Sequence, residues 1–369
     1  MEDRLHFSGL NGLRAIASLA VVFSHTTAEL KEFGLNQFIF GKYADGNPKA
    51  TLLAGFGVSI FFALSGFLIT YLLLEEKKLG EVNVKNFYIR RILRIWPLYY
   101  LYFGLTIITI FIFDIPYDKT SILFYIFLLA NFPFIFGRAL HFLGHYWSLG
   151  VEEQFYSFWP WVVKKSKSIL KTTILICTGL IALKSIIRLI EIKVLNGETS
   201  LIYNTLHINR FHCMLIGAIG AILYHQKHTL FLKLTNNLFA QFFSWIIIFL
   251  VAINKFHLVS FIDNELISVI TLFLIIGQIE KSNRLINLNI SCFNFIGKIS
   301  YGIYVIHPLI IFYLSKIIFF SNKTGVLDYM LVYFLVFATT IAISYISYHY
   351  FEKRFLNMKD KYSTIKSIL

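Results

Sequence analysis

The stretch RAIASLAVVFSH, Arg14 to His25, sets a guanidinium and an imidazole at the two ends of an almost unbroken apolar run. At about 100° per residue on a helix, eleven steps return His25 to within roughly 20° of Arg14, about 16 Å further along the axis. The two polar groups share one stripe. A histidine is the usual general base for a hydroxyl near neutral pH, above all where a carboxylate fixes its tautomer. Glu152 and Glu153, in HYWSLGVEEQFY, are carboxylates suited to that role, and His307, in ISYGIYVIHPLI, is a second imidazole that could join them. His307 also has a local alternative: it precedes Pro308 and would satisfy backbone carbonyls that the proline leaves without a donor.

Arg90, Arg91 and Arg94, in FYIRRILRIWPLYY, form with Arg14 a second set. Guanidinium groups are permanently charged and donate two hydrogen bonds at once, which suits phosphate. The same three arginines also fit the plainer role of interfacial positive residues, and Arg14 with His25 could simply tie helices together. Lys184, Arg188 and Glu191 fall on one helical face and are expected to pair locally.

The elements that must position these groups follow from composition. The 369 residues are 57% hydrophobic and 15% charged, with mean hydropathy +0.67, far too apolar for an ordinary soluble domain. The net charge of +14 is divided into short clusters between apolar segments, which points to cytoplasmic loops of a membrane protein and away from nucleic acid. Cys177, Cys213 and Cys292 are widely spaced and imply neither a disulfide framework nor a metal site. The N-terminal MEDRLHFSGL, acidic and without a small-residue cleavage site, reads as the lead into an uncleaved first span.

Eleven apolar segments occur, at 10–29, 51–75, 91–113, 120–136, 147–163, 169–192, 208–225, 238–254, 261–279, 297–320 and 327–351. The basic clusters at 77–94, 164–171 and 353–366 must all face the cytoplasm, which requires that one segment fail to cross. Segment 120–136 is short and contains Pro133, so it is expected to be re-entrant or interfacial. The predicted fold is an all-α polytopic transmembrane bundle of about ten spans, one domain over 1–369 with a core at about 8–355. A short basic tail, 353–369, closes it, and both termini are cytoplasmic. Counting residues from the helix ends places Arg14, Arg90, Arg91 and Arg94 in an inner layer. His25, Glu152, Glu153 and His307 fall in an outer one.

Several of these stretches together resemble the acyltransferase 3 family of bacterial integral membrane O-acyltransferases. GLNGLRAIASLAVVFSH is similar to its first-helix signature, GVSIFFALSGFLIT to its second, FYIRRILRIWPLYY to its arginine motif, YWSLGVEEQFY to its Trp-Ser-Leu and glutamate motif, and GKISYGIYVIHPLI to its late-helix signature. The resemblance implies transfer of an acyl group, usually acetyl, from cytoplasmic acyl-coenzyme A to a hydroxyl of a cell-surface glycan such as lipopolysaccharide O-antigen or exopolysaccharide. It implies a multi-pass protein of the bacterial inner membrane whose partners are lipids and a glycan acceptor. His25 would be essential, Arg14, Arg90, Arg91 and Arg94 would bind the donor, and Trp147 and Ser148 would belong to the site. One departure is visible: where the family often has Arg, any residue, then Asp, Arg210 is followed by His212. The chain is also expected to be the form without the extracytoplasmic esterase-like domain of some relatives. The competing classes are a glycan exporter, which would call for inverted repeats, and a scaffold of a polysaccharide assembly complex.

Overall fold

The computed structural model describes residues 7–43, 46–320 and 325–363. The acids of the N-terminal stretch and Lys366 of the basic tail, on which part of the orientation argument rests, lie outside the described residues. The chain is helical throughout, and among the described residues no strand forms. In order, the helices are α1 (Leu10–Ala28), α2 (Leu52–Leu79), α3 (Val84–Ile112), α4 (Ser121–Ile126), α5 (Asn131–Ile135), α6 (Trp147–Lys165), α7 (Ile169–Val194) and α8 (Leu201–Asn209). They continue as α9 (Phe211–His225), α10 (Thr229–Thr235), α11 (Leu238–Ala252), α12 (Asp263–Glu280), α13 (Ser291–Lys298), α14 (Ser300–Ile317), α15 (Val326–Ser347) and α16 (Lys353–Lys359).

Among the described residues, six helical segments are long and apolar enough to cross a membrane: α2 with its preceding turn, α3, α7, α8 with α9, α14, and α15 continued to Tyr362. The pair α10 and α11, bent by 52°, would make a seventh. The expectation of about ten crossings is therefore reduced to six or seven by length and composition alone. The shortfall has a physical origin. Helices α1, α6 and α12 have 19, 19 and 18 residues, but they carry Arg14 and His25, Glu152 and Glu153, and Asp263 and Glu265. Such side chains lower a helix's hydropathy without meeting lipid when they face the protein interior.

Segment 120–136 is not one helix. It breaks into α4 and α5, with Leu128 at φ 60° between them. The Asp118 carboxyl just before this segment is held below its ordinary value by hydrogen bonds from the Thr120 hydroxyl and backbone N–H.

Helix α2 packs most extensively on α9, and α1 lies between α2, α13 and α14. The α2–α9 crossing is backbone on backbone. A Cβ placed on Gly66 would lie 1.9 Å from the Met214 carbonyl oxygen, and one on Gly217 would lie 2.1 Å from that of Ala63. Small residues permit such approaches where apolar packing in lipid supplies no hydrophobic drive between helices. This crossing brings α9, and the break before it, against the helix that faces α1.

Candidate functional site

His25, on α1, is partly exposed and lines a cleft of about 870 Å³. Its Nδ1 lies 2.7 Å from Nε2 of His307 on α14, the two rings nearly parallel with centroids 5.0 Å apart. Nδ1 of the fully buried His307 lies 3.0 Å from the Ile303 carbonyl oxygen, which can only accept. That nitrogen therefore carries the proton, and Nε2 of neutral His307 is an acceptor. His25 must then donate from Nδ1, which leaves the lone pair on its Nε2. The chain fixes the tautomer that a general base needs.

The proline after His307 explains why these groups gather here. Pro308 has no N–H and opens the hydrogen-bond ladder of α14, so side chains from other helices bond to the loosened backbone. Nε2 of His145 approaches the Val305 carbonyl oxygen at 3.1 Å, and the Tyr102 hydroxyl accepts from the Leu309 N–H at 3.2 Å. His145 thereby becomes a third imidazole of the site, with ring centroids 5.2 Å from His307 and 6.4 Å from His25. Sequence reasoning missed it, although it stands directly before the Tyr-Trp-Ser-Leu stretch. His307 meets His25, as its candidate role requires, but the carbonyl it bonds is that of Ile303 and not that of Tyr304, which the missing Pro308 N–H leaves without its helical donor. Among the described residues no group of three or more His, Cys, Asp or Glu side chains is arranged to hold a metal ion.

Toward the other end of α1, Arg14, Arg91 and Arg94 line a smaller pocket of about 100 Å³ together with Ser65, Glu152 and Tyr156. None of the three arginines forms an ion pair among the described residues, in contrast to Arg90, and the buried Nε of Arg91 has no hydrogen-bond partner. Converging, unpaired guanidinium groups are the chemistry of an anion site. Arg90 does not belong to it. It pairs with Glu76 at 2.5 Å, both side chains buried, and donates to the Tyr362 carbonyl oxygen at 2.8 Å, which ties the segment after α16 to the start of α3.

The expected pairing of His25 with Glu152 or Glu153 is not made. Glu152 accepts from the Ser65 and Tyr156 hydroxyls, each at 2.9 Å, on the arginine side, and Glu153 accepts from the Trp96 indole N–H at 3.1 Å. Counting residues from the start of α6 put the glutamates too far out. In the turn before that helix His145 and Tyr146 are already buried, so α6 starts inside the bundle. His145 occupies the level assigned to the carboxylates.

Trp147 and Arg210 both line the histidine cleft, the Arg210 guanidinium 5.1 Å over the indole. Arg210 sits at the break between α8 and α9 with φ 42°, and its Nη1 donates to the Gly55 carbonyl oxygen at 2.9 Å. His212, which stands in place of an acid, faces the carboxylate of Glu265 at 3.1 Å, and Lys184 pairs with the same carboxylate. The expected local pairing of Lys184 is thus corrected, whereas Arg188 and Glu191 do pair at 3.4 Å.

Ser148 lies where the two cavities meet. Its Oγ is 2.5 Å from the Tyr304 hydroxyl. Among the described residues, Tyr304 and Val58 are the two that line both the arginine pocket and the histidine cleft. The single corridor from Arg14 to His25 that the shared stripe implied is divided into two chambers with a common wall.

A helical membrane protein with a cationic chamber and an imidazole chamber back to back is the class that fold and site define. The family model for the acyltransferase domain of acyltransferase 3 matches residues 7–349, and the chain belongs to that family. It is 29% identical over 380 residues to YrhL of Bacillus subtilis (strain 168), provisionally named a peptidoglycan O-acetyltransferase, covering 95% of this chain and 55% of the relative. It is 28% identical over 341 residues to O-acetyltransferase OatA of Staphylococcus aureus (strain NCTC 8325 / PS 47), covering 85% of this chain and 52% of that protein. The chain spans about half the length of these curated relatives. No solved structure matches.

Proposed function

We propose that the protein is a membrane O-acyltransferase that moves an acetyl group from cytoplasmic acyl-coenzyme A to a hydroxyl of a cell-surface glycan. In this reading it lies in the bacterial inner membrane with both termini cytoplasmic, and α1, α6 and α12 join the seven apolar segments to give ten crossings. The observation that carries the reading is the back-to-back pairing of a chamber of unpaired arginines with a chamber holding a tautomer-fixed histidine. Family membership supports the reaction class.

The anionic end of the donor would rest on Arg91, Arg94 and Arg14. Their unpaired guanidinium groups and the unpartnered Arg91 Nε fit phosphate oxygens. His25 Nε2 takes the proton from the acceptor hydroxyl, and the oxygen forms a bond to the thioester carbonyl carbon. The C–S bond then breaks, and the departing thiolate receives the proton from His25. Such a base typically supplies about 10² to 10⁴ in rate.

The acceptor is a glycan hydroxyl exposed on the outer side. Lipopolysaccharide O-antigen and exopolysaccharide follow from the sequence resemblance, whereas the name of the Bacillus relative makes peptidoglycan the first acceptor to test. Cells carrying wild-type protein and His25→Ala, matched for membrane abundance, are compared for ester-linked acetate on peptidoglycan and on other surface glycans by mass spectrometry. The expected result is acetate on one glycan that disappears in the variant. Equal acetate on every glycan in both strains overturns the proposal.

A further inference from the structure

We propose that the Tyr304 hydroxyl, assisted by Ser148, is the hydrogen-bond donor that receives the acyl carbonyl oxygen at the point where the two chambers meet. This rests on the acyl-transfer reading above and adds a catalytic group to it. A thioester anchored on the arginine side can reach His25 only past the wall between the chambers. Tyr304 and Val58 line that wall on both faces, and of the two only Tyr304 has a polar side-chain atom. Its ring lies 5.3 Å from that of His145 and 6.3 Å from that of His307, so the hydroxyl belongs to the neighbourhood in which the base is held.

The hydrogen bonding at this point leaves a donor to spare. Tyr304 Oη lies 2.8 Å from the His145 carbonyl oxygen, Ser148 Oγ lies 3.2 Å from the same oxygen, and the two hydroxyls are 2.5 Å apart. Two protons serve these three contacts. With the Tyr304 proton turned away, the Ser148 hydroxyl still reaches the His145 carbonyl oxygen. Turning one hydroxyl proton toward a new acceptor therefore leaves no buried carbonyl without a partner, a loss that would otherwise cost about 1–3 kcal/mol. As the acceptor oxygen bonds to the thioester carbon, the electron pair of the C=O bond moves onto the carbonyl oxygen. That developing charge is what a fixed hydroxyl donor stabilises, and removing one such donor typically costs about 10² to 10³ in kcat. Collapse returns the electron pair to the C=O bond and releases the thiolate.

The test uses the full chain, purified in detergent, with acetyl-coenzyme A as donor and a soluble oligomer of N-acetylglucosamine as acceptor. Thiol release and sugar acetylation are followed, and acetyl-coenzyme A binding is measured separately. Tyr304→Phe is expected to bind acetyl-coenzyme A within about twofold of wild type while kcat falls about 10²-fold or more, and Ser148→Ala to lower kcat about tenfold at unchanged KM for the donor. Tyr304→Phe turning over within threefold of wild type overturns the inference, as does a loss of donor binding that accounts for the whole loss of rate. Should Tyr304→Phe fail to fold, Ser148→Ala decides by the same split. His25→Ala, run alongside, separates the two levels. If His25→Ala is inactive and Tyr304→Phe is not, the hydroxyl role fails and the acyl-transfer reading stands. If wild type and His25→Ala are equally active, the reading itself fails and the inference with it.

Discussion

His307 Nε2 accepts a hydrogen bond from His25 Nδ1 at 2.7 Å across 282 residues of sequence. The bond is directional because His307 spends its own proton on the Ile303 carbonyl oxygen. An imidazole held by a backbone carbonyl thus does for His25 what a carboxylate does in more familiar pairs, without placing a second charge in the apolar interior. The neutral partner orients the base, whereas a carboxylate would also stabilise its protonated form.

His307 is therefore a positioning residue, and its replacement should act through His25. His307→Ala is expected to lower kcat by about ten- to a hundredfold, the scale on which a histidine suffers when its orienting partner is lost in metal sites. His307→Gln, whose side-chain oxygen can accept from His25 Nδ1, should recover part of that loss. Donor KM should stay constant in both variants. Equal activity of the Ala and Gln variants at equal thermal stability would show that no acceptor is needed at this position.

The four arginines should separate into two phenotypes. Arg91→Ala and Arg94→Ala remove groups that line the unpaired cationic pocket, and donor KM is expected to rise about tenfold or more with little loss of thermal stability. Arg90→Met instead strands the buried Glu76 carboxylate, which in comparable pairs costs about 3–5 kcal/mol. Its thermal midpoint should drop while the donor KM of the folded fraction stays near wild type. An unchanged KM in Arg94→Ala would remove Arg94 from donor binding.

Gly217 should tolerate no side chain. Its missing Cβ is replaced by the Ala63 carbonyl oxygen of α2, and a backbone atom cannot rotate away as a side chain can. Gly217→Ala must push α9 off α2 and is expected to cost about 1–3 kcal/mol, as overpacking does. Thermal unfolding in detergent measures it, with Gly104→Ala, where the added Cβ meets nothing within 4 Å, as the unaffected control.

What the sequence made legible were groups whose helix could be placed by its own periodicity. Arg14 and His25 lie eleven residues apart on one helix, and each lines one of the two chambers, as their shared stripe requires. Depth across different helices was less legible, because it depends on where a helix starts relative to the rest of the bundle. The buried turn before Trp147 shifts α6, so Glu152 and Glu153 land beside the arginines and His145 takes their place near His25. Pairing between distant helices was hidden for the same reason. Nothing in the residue types separates Arg90 from Arg91, yet the single helical step of about 100° between them sends Arg90 to Glu76 and to the Tyr362 carbonyl oxygen.

The buried Lys184, Glu265 and His212 group joins α7, α12 and α9 behind the break that presents Arg210 to the cleft. Two opposite charges there cancel only while both remain. Lys184→Met leaves Glu265 uncompensated in an apolar interior, and Glu265→Gln does the same to Lys184, so each single variant is expected to lose about 3–5 kcal/mol. The double variant removes both charges, and replacing a buried pair by uncharged groups of similar volume is often close to neutral. It should therefore be more stable than either single variant, its loss falling well short of the sum of the two single losses. Thermal midpoints of the four proteins, measured in one detergent, close the cycle. Strict additivity would mean that the three helices are held at this point by packing, and that the charges contribute nothing to the position of Arg210.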